Sequence, residues 1–266
     1  MKTIRGLDVK NRIFLAPMEE VNDIAFRLLC KEAGAGLTYT GMVHPLTQQK
    51  LDLEDKPAMQ LFAVSSKGIA EFMKKYDGEV ALWDFNLGCP AKNARRRGFG
   101  SFLCPKLDVI EEILKTMREN TKKPLTIKFR KSKNVLSIVR IAEKYCDAIC
   151  IHPRTQEQGY SGKADLDYAL EIKKKTKLPV IYSGDVNEDN YKELLKEFDY
   201  IMVGRAAMGK PNIFSTMTGK KVKTFNFSDY LALAKKYKLY FRQIKIHAMY
   251  FTKGIENSSE LRLEIA

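Results

Sequence analysis

The chain has 266 residues, 46 Lys and Arg against 32 Asp and Glu (formal charge +14), 45% hydrophobic and 29% charged residues. That length suits one large domain with a small appendage. No stretch approaches the roughly 18 apolar residues of a membrane span, which excludes a membrane protein. So large a positive field favours a polyanionic partner over a small neutral one, though a lysine-rich surface that serves only solubility weighs equally on composition alone.

In chain order, the basic amino terminus carries an apolar run only from Ile13 to Met18, too short for the core of an export signal. The first strand is expected over Ile13 to Ala16. The next fall at Leu37 to Gly41, Ala58 to Phe62, Leu82 to Leu87 and Leu125 to Phe129, then at Ala148 to His152, Val180 to Ser183 and Tyr200 to Val203. Stretches with helical patterning separate them. Eight such units predict an α/β fold, a (β/α)8 barrel of parallel strands, with a doubly wound open sheet as the structural alternative. The five cysteines, Cys30, Cys89, Cys104, Cys146 and Cys150, form no disulfide framework and suit a reduced, cytoplasmic compartment. Cys146 and Cys150 lack zinc-ligand spacing, so no metal is expected.

From Asn212 to Ile255 nine Lys or Arg stand against one acid, Asp229. The chain therefore divides into a barrel over 1–211 and a small C-terminal helical domain, basic and probing for a polyanion, over 212–266. With Ser228 as N-cap, Ala234, Tyr237, Phe241, Ile244, Ala248 and Phe251 recur at helical spacing and are expected to face the protein. Lys235, Lys238, Arg242 and Lys245 recur on another face, a solvated surface or a stripe that tracks phosphates.

A barrel of this kind carries its active site at the C-terminal ends of the strands. Pro17 and Met18 follow the first strand, Gln60 lies in the third, and Asn86 and Cys89 end the fourth. Lys128 and Arg130 belong to the fifth, His152 and Arg154 to the sixth, Ser183, Gly184 and Asp185 to the seventh, Gly204 and Arg205 to the eighth. Glycines after the last two strands let peptide N–H groups approach a phosphate, and Arg205 adds a charged donor, so a phosphorylated ligand is implied. On this evidence an unrelated phosphate-binding barrel stays open.

The stretches LAPM (15–18), FRLLCKEAGAGLTYTGM, NLGCPAKNARRRGFGSFL, IHPRTQEQGYSGKADL, VGRAAMGKPNIF and RQIKIHAMYFTKGIENSSELR span nearly the whole chain. Through them it resembles the tRNA-dihydrouridine synthases. The resemblance implies an FMN enzyme that reduces uridine to 5,6-dihydrouridine in tRNA with electrons from NADPH or NADH. It implies that Pro17 and Met18 line the flavin ring, that Gln60 and Lys128 bond its polar edge, and that His152 lies beside it. Ser183, Gly184, Asp185, Gly204 and Arg205 would hold the phosphate. Asn86, Arg130 and Arg154 would lie near the uracil, with Cys89 as proton donor. Lys235, Lys238, Arg242 and Lys245 would contact tRNA, and the protein would act as a cytoplasmic monomer without metal or membrane.

The residue types suit that chemistry, because a thiol with a pKa near 8.5 is mostly protonated at pH 7 while an imidazole near 6.5 is mostly not. Two other readings are weighed against it. One is a flavin barrel for a free pyrimidine, like dihydroorotate and dihydropyrimidine dehydrogenases, which gives the basic tail no use. The other is a catalytically silent RNA-binding barrel. Four departures from the family pattern stand out: Glu19-Glu20 after the Pro-Met pair, Ala63 for a glycine, Ser183 for an asparagine, and Lys131-Ser132 for Thr-Gly. The tail to Ala266 is also short for the family, so a shortened helical domain is expected.

Overall fold

The computed structural model describes residues 2–253 and 258–265; residues 254–257, inside the tail motif, lie outside the described set. Eight parallel strands form one sheet: β1 (Ile13–Leu15), β2 (Tyr39–Val43), β3 (Ala58–Leu61), β4 (Leu82–Leu87), β5 (Leu125–Arg130), β6 (Ala148–His152), β7 (Val180–Ser183) and β8 (Tyr200–Val203). Their order is β1-β8-β7-β6-β5-β4-β3-β2. The two ends meet through a single bridge, Phe14 to Leu37, and the bond from Leu15 N to Leu37 O (2.9 Å). The ring is therefore a barrel and not the open sheet. β2 starts two residues later than expected because Leu37 makes this closure, and Thr38, whose carbonyl accepts from Ala58 N at 2.8 Å, lies just before the ladder.

The helices are α1 (Ile24–Ala33), α2 (Ile69–Tyr76), α3 (Lys92–Arg97), α4 (Leu107–Glu119), α5 (Val135–Tyr145), α6 (Leu166–Lys174), α7 (Tyr191–Glu197) and α8 (Ile213–Thr218). Amphipathic spacing decides which face each one buries. In α4, Ile110, Ile113, Leu114 and Met117 pack inward at intervals of three, one and three residues. No helix stands between β2 and β3 among the described residues. That loop is pinned instead by Arg27 of α1, whose guanidinium bonds both carboxylate oxygens of Asp55 at 3.0 and 2.9 Å. No described helix is long and apolar enough to cross a membrane.

Side chains alternate along each strand, giving two cores. Trp83, Phe85 and Leu87 of β4 point outward under the helices. Leu82 points inward, where Phe14, Tyr39, Ala58, Ala148, Ile181 and Tyr200 fill the lower barrel and Ile4 closes its floor. The inward positions above them are polar.

Three helices follow α8: α9 (Phe227–Lys236), α10 (Phe241–Phe251) and α11 (Ser258–Ile265). The expected division at 211/212 leaves α8, which packs on α1, on the tail side. The sequence reading of the tail needs two corrections. The N-cap of α9 is Asn226, paired with Asp229 in a capping box, and not Ser228. The expected continuous helix breaks at Tyr237–Tyr240, where Lys238 takes φ 53°. Ala234 is buried as expected, whereas Phe241, beyond the break, is 77% exposed. The break also separates the four cations, with Lys235 on α9, Lys238 in the turn, and Arg242 and Lys245 on α10. Arg242 pairs with Glu20, and Lys245 is half-buried.

The tail docks through buried polar groups. Asp23 caps α1, accepting from Phe26 N at 3.0 Å, and its other oxygen meets Tyr230 Oη at 2.9 Å and His247 Nε2 at 3.1 Å. The His247 ring lies between Tyr230 and Phe26, at centroid distances of 4.2 and 5.0 Å. Gly209 makes the second seam: with φ 73°, a Cβ there would lie 2.3 Å from the Tyr250 carbonyl oxygen and 2.9 Å from Phe251 N. Gly209→Ala is expected to lower stability by about 2 kcal/mol or more, from left-handed strain and displacement of α10. Urea unfolding checks this, and a wild-type midpoint would contradict the close seam.

Candidate active site

A cavity of about 820 Å³ opens at the C-terminal ends of the strands. The closed ring brings thirteen of the residues singled out by sequence around it: Pro17, Met18, Gln60, Asn86, Cys89, Lys128, Arg130, His152, Ser183, Gly184, Asp185, Gly204 and Arg205. Register explains the grouping. Gln60 is level with Asp84, Asn86 with Lys128, and Arg130 with His152. The cavity size is ordinary for a small-molecule or cofactor site.

Cys89 lies on the turn that leaves β4. Asn86 Oδ1 accepts from the peptide N–H groups of Gly88 and Cys89, both at 3.0 Å, while the Cys89 carbonyl accepts from Ser101 N at 3.1 Å and Ser101 Oγ at 2.9 Å. Gly100, at φ 63°, makes this seat possible, since a Cβ there would fall 2.7 Å from the Cys89 oxygen. Cys89 is half-buried and the other four thiols are buried. Burial raises its pKa, outweighing the Ala91 N–H that lowers it, so the thiol is protonated at neutral pH.

Cations dominate the rim. Burial, followed by Lys128, Arg130, Arg154 and Arg205, pushes the His152 imidazole down to about 2. A neutral ring follows, and its buried Nδ1 has no partner. Burial likewise lowers the Lys128 ammonium. Arg130 bonds the carbonyls of Gly88 (2.6 Å) and Gly159 (2.6 Å), tying the cysteine turn to the loop after β6. Tyr160 of that loop takes the guanidinium groups of Arg130 and Arg205 against its ring at 5.2 and 5.4 Å.

Two expectations change. Arg154 does not line the cavity: it is buried and bonds the carbonyls of Ser161 (3.1 Å) and Gly162 (2.6 Å) and the Asp185 carboxylate (2.6 Å). It is a strut, placed there because the chain turns inward after His152. The Asp185 carboxylate also takes Arg205 at 2.9 Å, so the side chain orients arginines and cannot itself receive an anion. Lys235, Lys238, Arg242 and Lys245 lie away from the cavity lining, which the tail reaches through Tyr250 and Lys253.

Glu20, which had no role in the sequence, pairs with Arg242 and ties the β1 loop to α10. Glu19 lines the cavity, and burial followed by Glu20 raises its pKa. Sequence reasoning missed Asp84, Gly100 and Tyr160 as parts of the site. Asp84 carried a signal in its inward register, two residues before Asn86. Tyr160 and Gly100 lie in loops, whose paths no periodicity reveals.

The chain matches the family model described as dihydrouridine synthase over residues 14–263. It is 32% identical to tRNA-dihydrouridine synthase B of Pasteurella multocida over 80% of this chain and 71% of that one. With a probable tRNA-dihydrouridine synthase of Rickettsia conorii it shares 31% over 98% and 90%. Among solved structures, an old yellow enzyme homologue from Zymomonas mobilis superposes with a TM-score of 0.54 at 11% identity, covering 83% of this chain and 92% of that one. Morphinone reductase in complex with tetrahydroNAD gives 0.52 at 10%, over 85% and 92%. Those two similarities concern the fold alone.

The raised thiol pKa has a direct consequence. Iodoacetamide reacts with the thiolate, so labelling of Cys89 is expected to be slow at pH 7 and to rise with a midpoint above that of free cysteine. A pH–rate profile with a midpoint at or below free cysteine would show that burial does not control this thiol.

Proposed function

The chain belongs to the dihydrouridine synthase family, and from that premise we propose that it reduces uridine to 5,6-dihydrouridine in tRNA. FMN held in the strand-end cavity, with NADPH or NADH as electron source, completes the proposal. The observation that carries it is a protonated thiol, Cys89, on the rim of a cation-lined cavity large enough for a flavin.

The residues fit the cofactor. Arg205, with Ser183 Oγ and the peptide groups at Gly184, Asp185 and Gly204, would hold its phosphate. A Cβ at Gly204 would meet no protein atom closer than 3.7 Å, so the space beside that peptide is open to a ligand. Pro17 and Met18 offer an apolar wall. Gln60 has one N–H and one lone pair left after its protein bonds, and Lys128 stands beside it for the polar edge of the ring. The unpartnered His152 Nδ1 marks a polar position that the protein alone leaves unmatched.

Held there, a reduced flavin would supply the hydride for C6 of the uracil. Negative charge then grows toward the C4 oxygen, where the Lys128 ammonium and the Asn86 amide are the available donors. Cys89 delivers the proton to C5. His152 is the poorer acid, because burial and then the neighbouring cations keep its ring neutral at physiological pH. Arg130 acts on the loops around the uracil, holding Gly88 and Gly159. Arg154 contributes through Asp185 and Arg205 and does not touch the base in this reading.

The target base must leave its stack at a cost of a few kcal/mol, which contacts elsewhere on the RNA offset. The barrel, 1–211, would hold cofactor and base, and the segment 212–266, which begins with the docked α8, would grip the tRNA. Lys235 and Lys238 are exposed there, and Arg95, Arg96 and Arg97 of α3 are exposed beside the cysteine turn. The protein would work on tRNA as a monomer in the cytoplasm.

Two measurements test this reading. Cys89→Ala is expected to bind flavin and accept electrons from NADPH normally, while tRNA reoxidises the flavin about 10² to 10⁴ times more slowly, the usual effect of losing a general acid. Anaerobic stopped-flow absorbance follows both steps, and a wild-type reoxidation rate would remove Cys89 from the chemistry. For the tail, replacing Lys235 and Lys238 with glutamine is expected to reduce the log–log salt slope of tRNA binding by about 1.4 to 1.8, at 0.7 to 0.9 per lost phosphate contact. An unchanged slope would move the RNA path away from that surface.

A further inference from the structure

One buried carboxylate beneath the cavity has no part in the chemistry above. Asp84 is fully buried on the inward side of β4. Its Oδ1 accepts from Thr126 Oγ1 at 2.5 Å and its Oδ2 from Gln60 Nε2 at 2.5 Å. Gln60 Oε1 accepts from Asn86 Nδ2 at 2.6 Å. Asn86 Oδ1 then accepts the two peptide N–H groups of the cysteine turn, at 3.0 Å each. An unbroken chain of bonds joins the carboxylate to the backbone of Cys89.

The sense of every link in that chain is fixed. A peptide N–H can only donate, so Asn86 must turn its oxygen to the cysteine turn and its amino group to Gln60. Gln60 must then offer its oxygen to Asn86 and its amino group to residue 84. Only an acceptor at that position completes the set, and an ionised carboxylate accepts at both oxygens. A lost acceptor would leave a buried N–H unpaired, which burial makes more costly than the bond is worth on average.

We propose that Asp84 is a positioning residue for Cys89: by accepting from Gln60 it fixes the orientation of the Gln60 and Asn86 amides, and through them the cysteine turn. Asp84 is not itself part of the cavity lining and acts on the cysteine turn only through these two amides. Burial pushes its carboxyl up to about 6, against Thr126, Gln60 and Lys128, which hold it down. It is ionised at neutral pH. The inference rests on the proposed role of Cys89, so its test includes a measurement on the thiol that is independent of turnover.

Asp84→Asn and Asp84→Leu, made in the flavin-loaded full chain, separate an acceptor from mere volume. Asparagine keeps an oxygen for Gln60, and the Thr126 hydroxyl can turn to accept the new N–H. Leucine keeps the number and branching of the side-chain heavy atoms, with bulkier methyl groups, but accepts nothing. For Asp84→Leu, kcat is expected to fall up to about a hundredfold, the scale of a misplacement of about 1 Å, with KM for tRNA nearly unchanged. Its limiting iodoacetamide labelling rate at high pH is expected to differ several-fold from wild type, while Asp84→Asn stays within about threefold on both readouts. Labelling is specific because Cys89 is the half-buried thiol and the other four are buried.

Should Asp84→Leu fail to fold, Asn86→Asp gives the same answer. That change turns the Gln60 oxygen onto the Asp84 carboxylate. Adding Asp84→Asn supplies an N–H there and restores the chain of bonds in the opposite sense, so the double variant is expected to recover a limiting labelling rate closer to wild type than the single one. The proposal is overturned by wild-type labelling and kcat in Asp84→Leu, by Asp84→Asn as impaired as Asp84→Leu, or by a double variant no better than Asn86→Asp alone. Altered labelling in Asp84→Leu with wild-type kcat would instead keep the positioning and remove the catalytic role of Cys89.

Discussion

The structure depends on one constraint: in a closed ring of parallel strands, alternate side chains must share the interior. Strand register then decides which of them meet. Gln60, Asp84 and Thr126 stand level on β3, β4 and β5, and Asn86, Lys128 and Cys150 stand one layer higher on β4, β5 and β6. Lower layers are apolar and filled by rings such as Phe14 and Tyr200, whose centroids lie 5.1 Å apart. Since the floor is packed, polar inward residues can be hydrated or meet a ligand only at the upper rim.

That arrangement divides the charges by function. Burial and then the rim cations depress the neighbouring imidazole, the cations favour an anionic guest, and two carboxylates at the site are committed to partners while Glu19 lines the cavity without one among the described residues. Asp185 is held by Arg154 and Arg205, and Asp84 by Gln60 and Thr126. Glu20 is engaged by Arg242, so the acid that looked misplaced beside an anion site joins barrel to tail. Burial is also the largest influence on the Cys89 thiol, which it leaves protonated.

The docked tail is more than a basic appendage. Its seam is built from Asp23, Tyr230 and His247, a buried polar set whose members lie far apart in sequence, and α10 ends with Tyr250 at the cavity lining. A surface that binds RNA on the tail would thus be rigidly referenced to the site where a base enters. Domain motion between the two parts would have to break buried hydrogen bonds, which argues for a fixed relation.

The sequence by itself determined the strand positions, since apolar runs of four to six residues with β-branched side chains are written locally, and the strand-end residues follow from them by counting. It also determined the thiol in its Gly-Cys-Pro turn and the basic character of the tail. Tertiary structure alone decided what those residues touch. Arg154 was legible as a strand-end cation, yet the path of the loop after β6 buries it against Asp185. The tail read as one helix because spacing is continuous through Tyr237–Tyr240, and only docking against α1 and the Glu54 loop shows the break. Asp84 showed only its inward register in the sequence, not what it bonds. Its partners lie on neighbouring strands 24 and 42 residues away, and no local pattern records a hydrogen bond that exists only once the ring has closed.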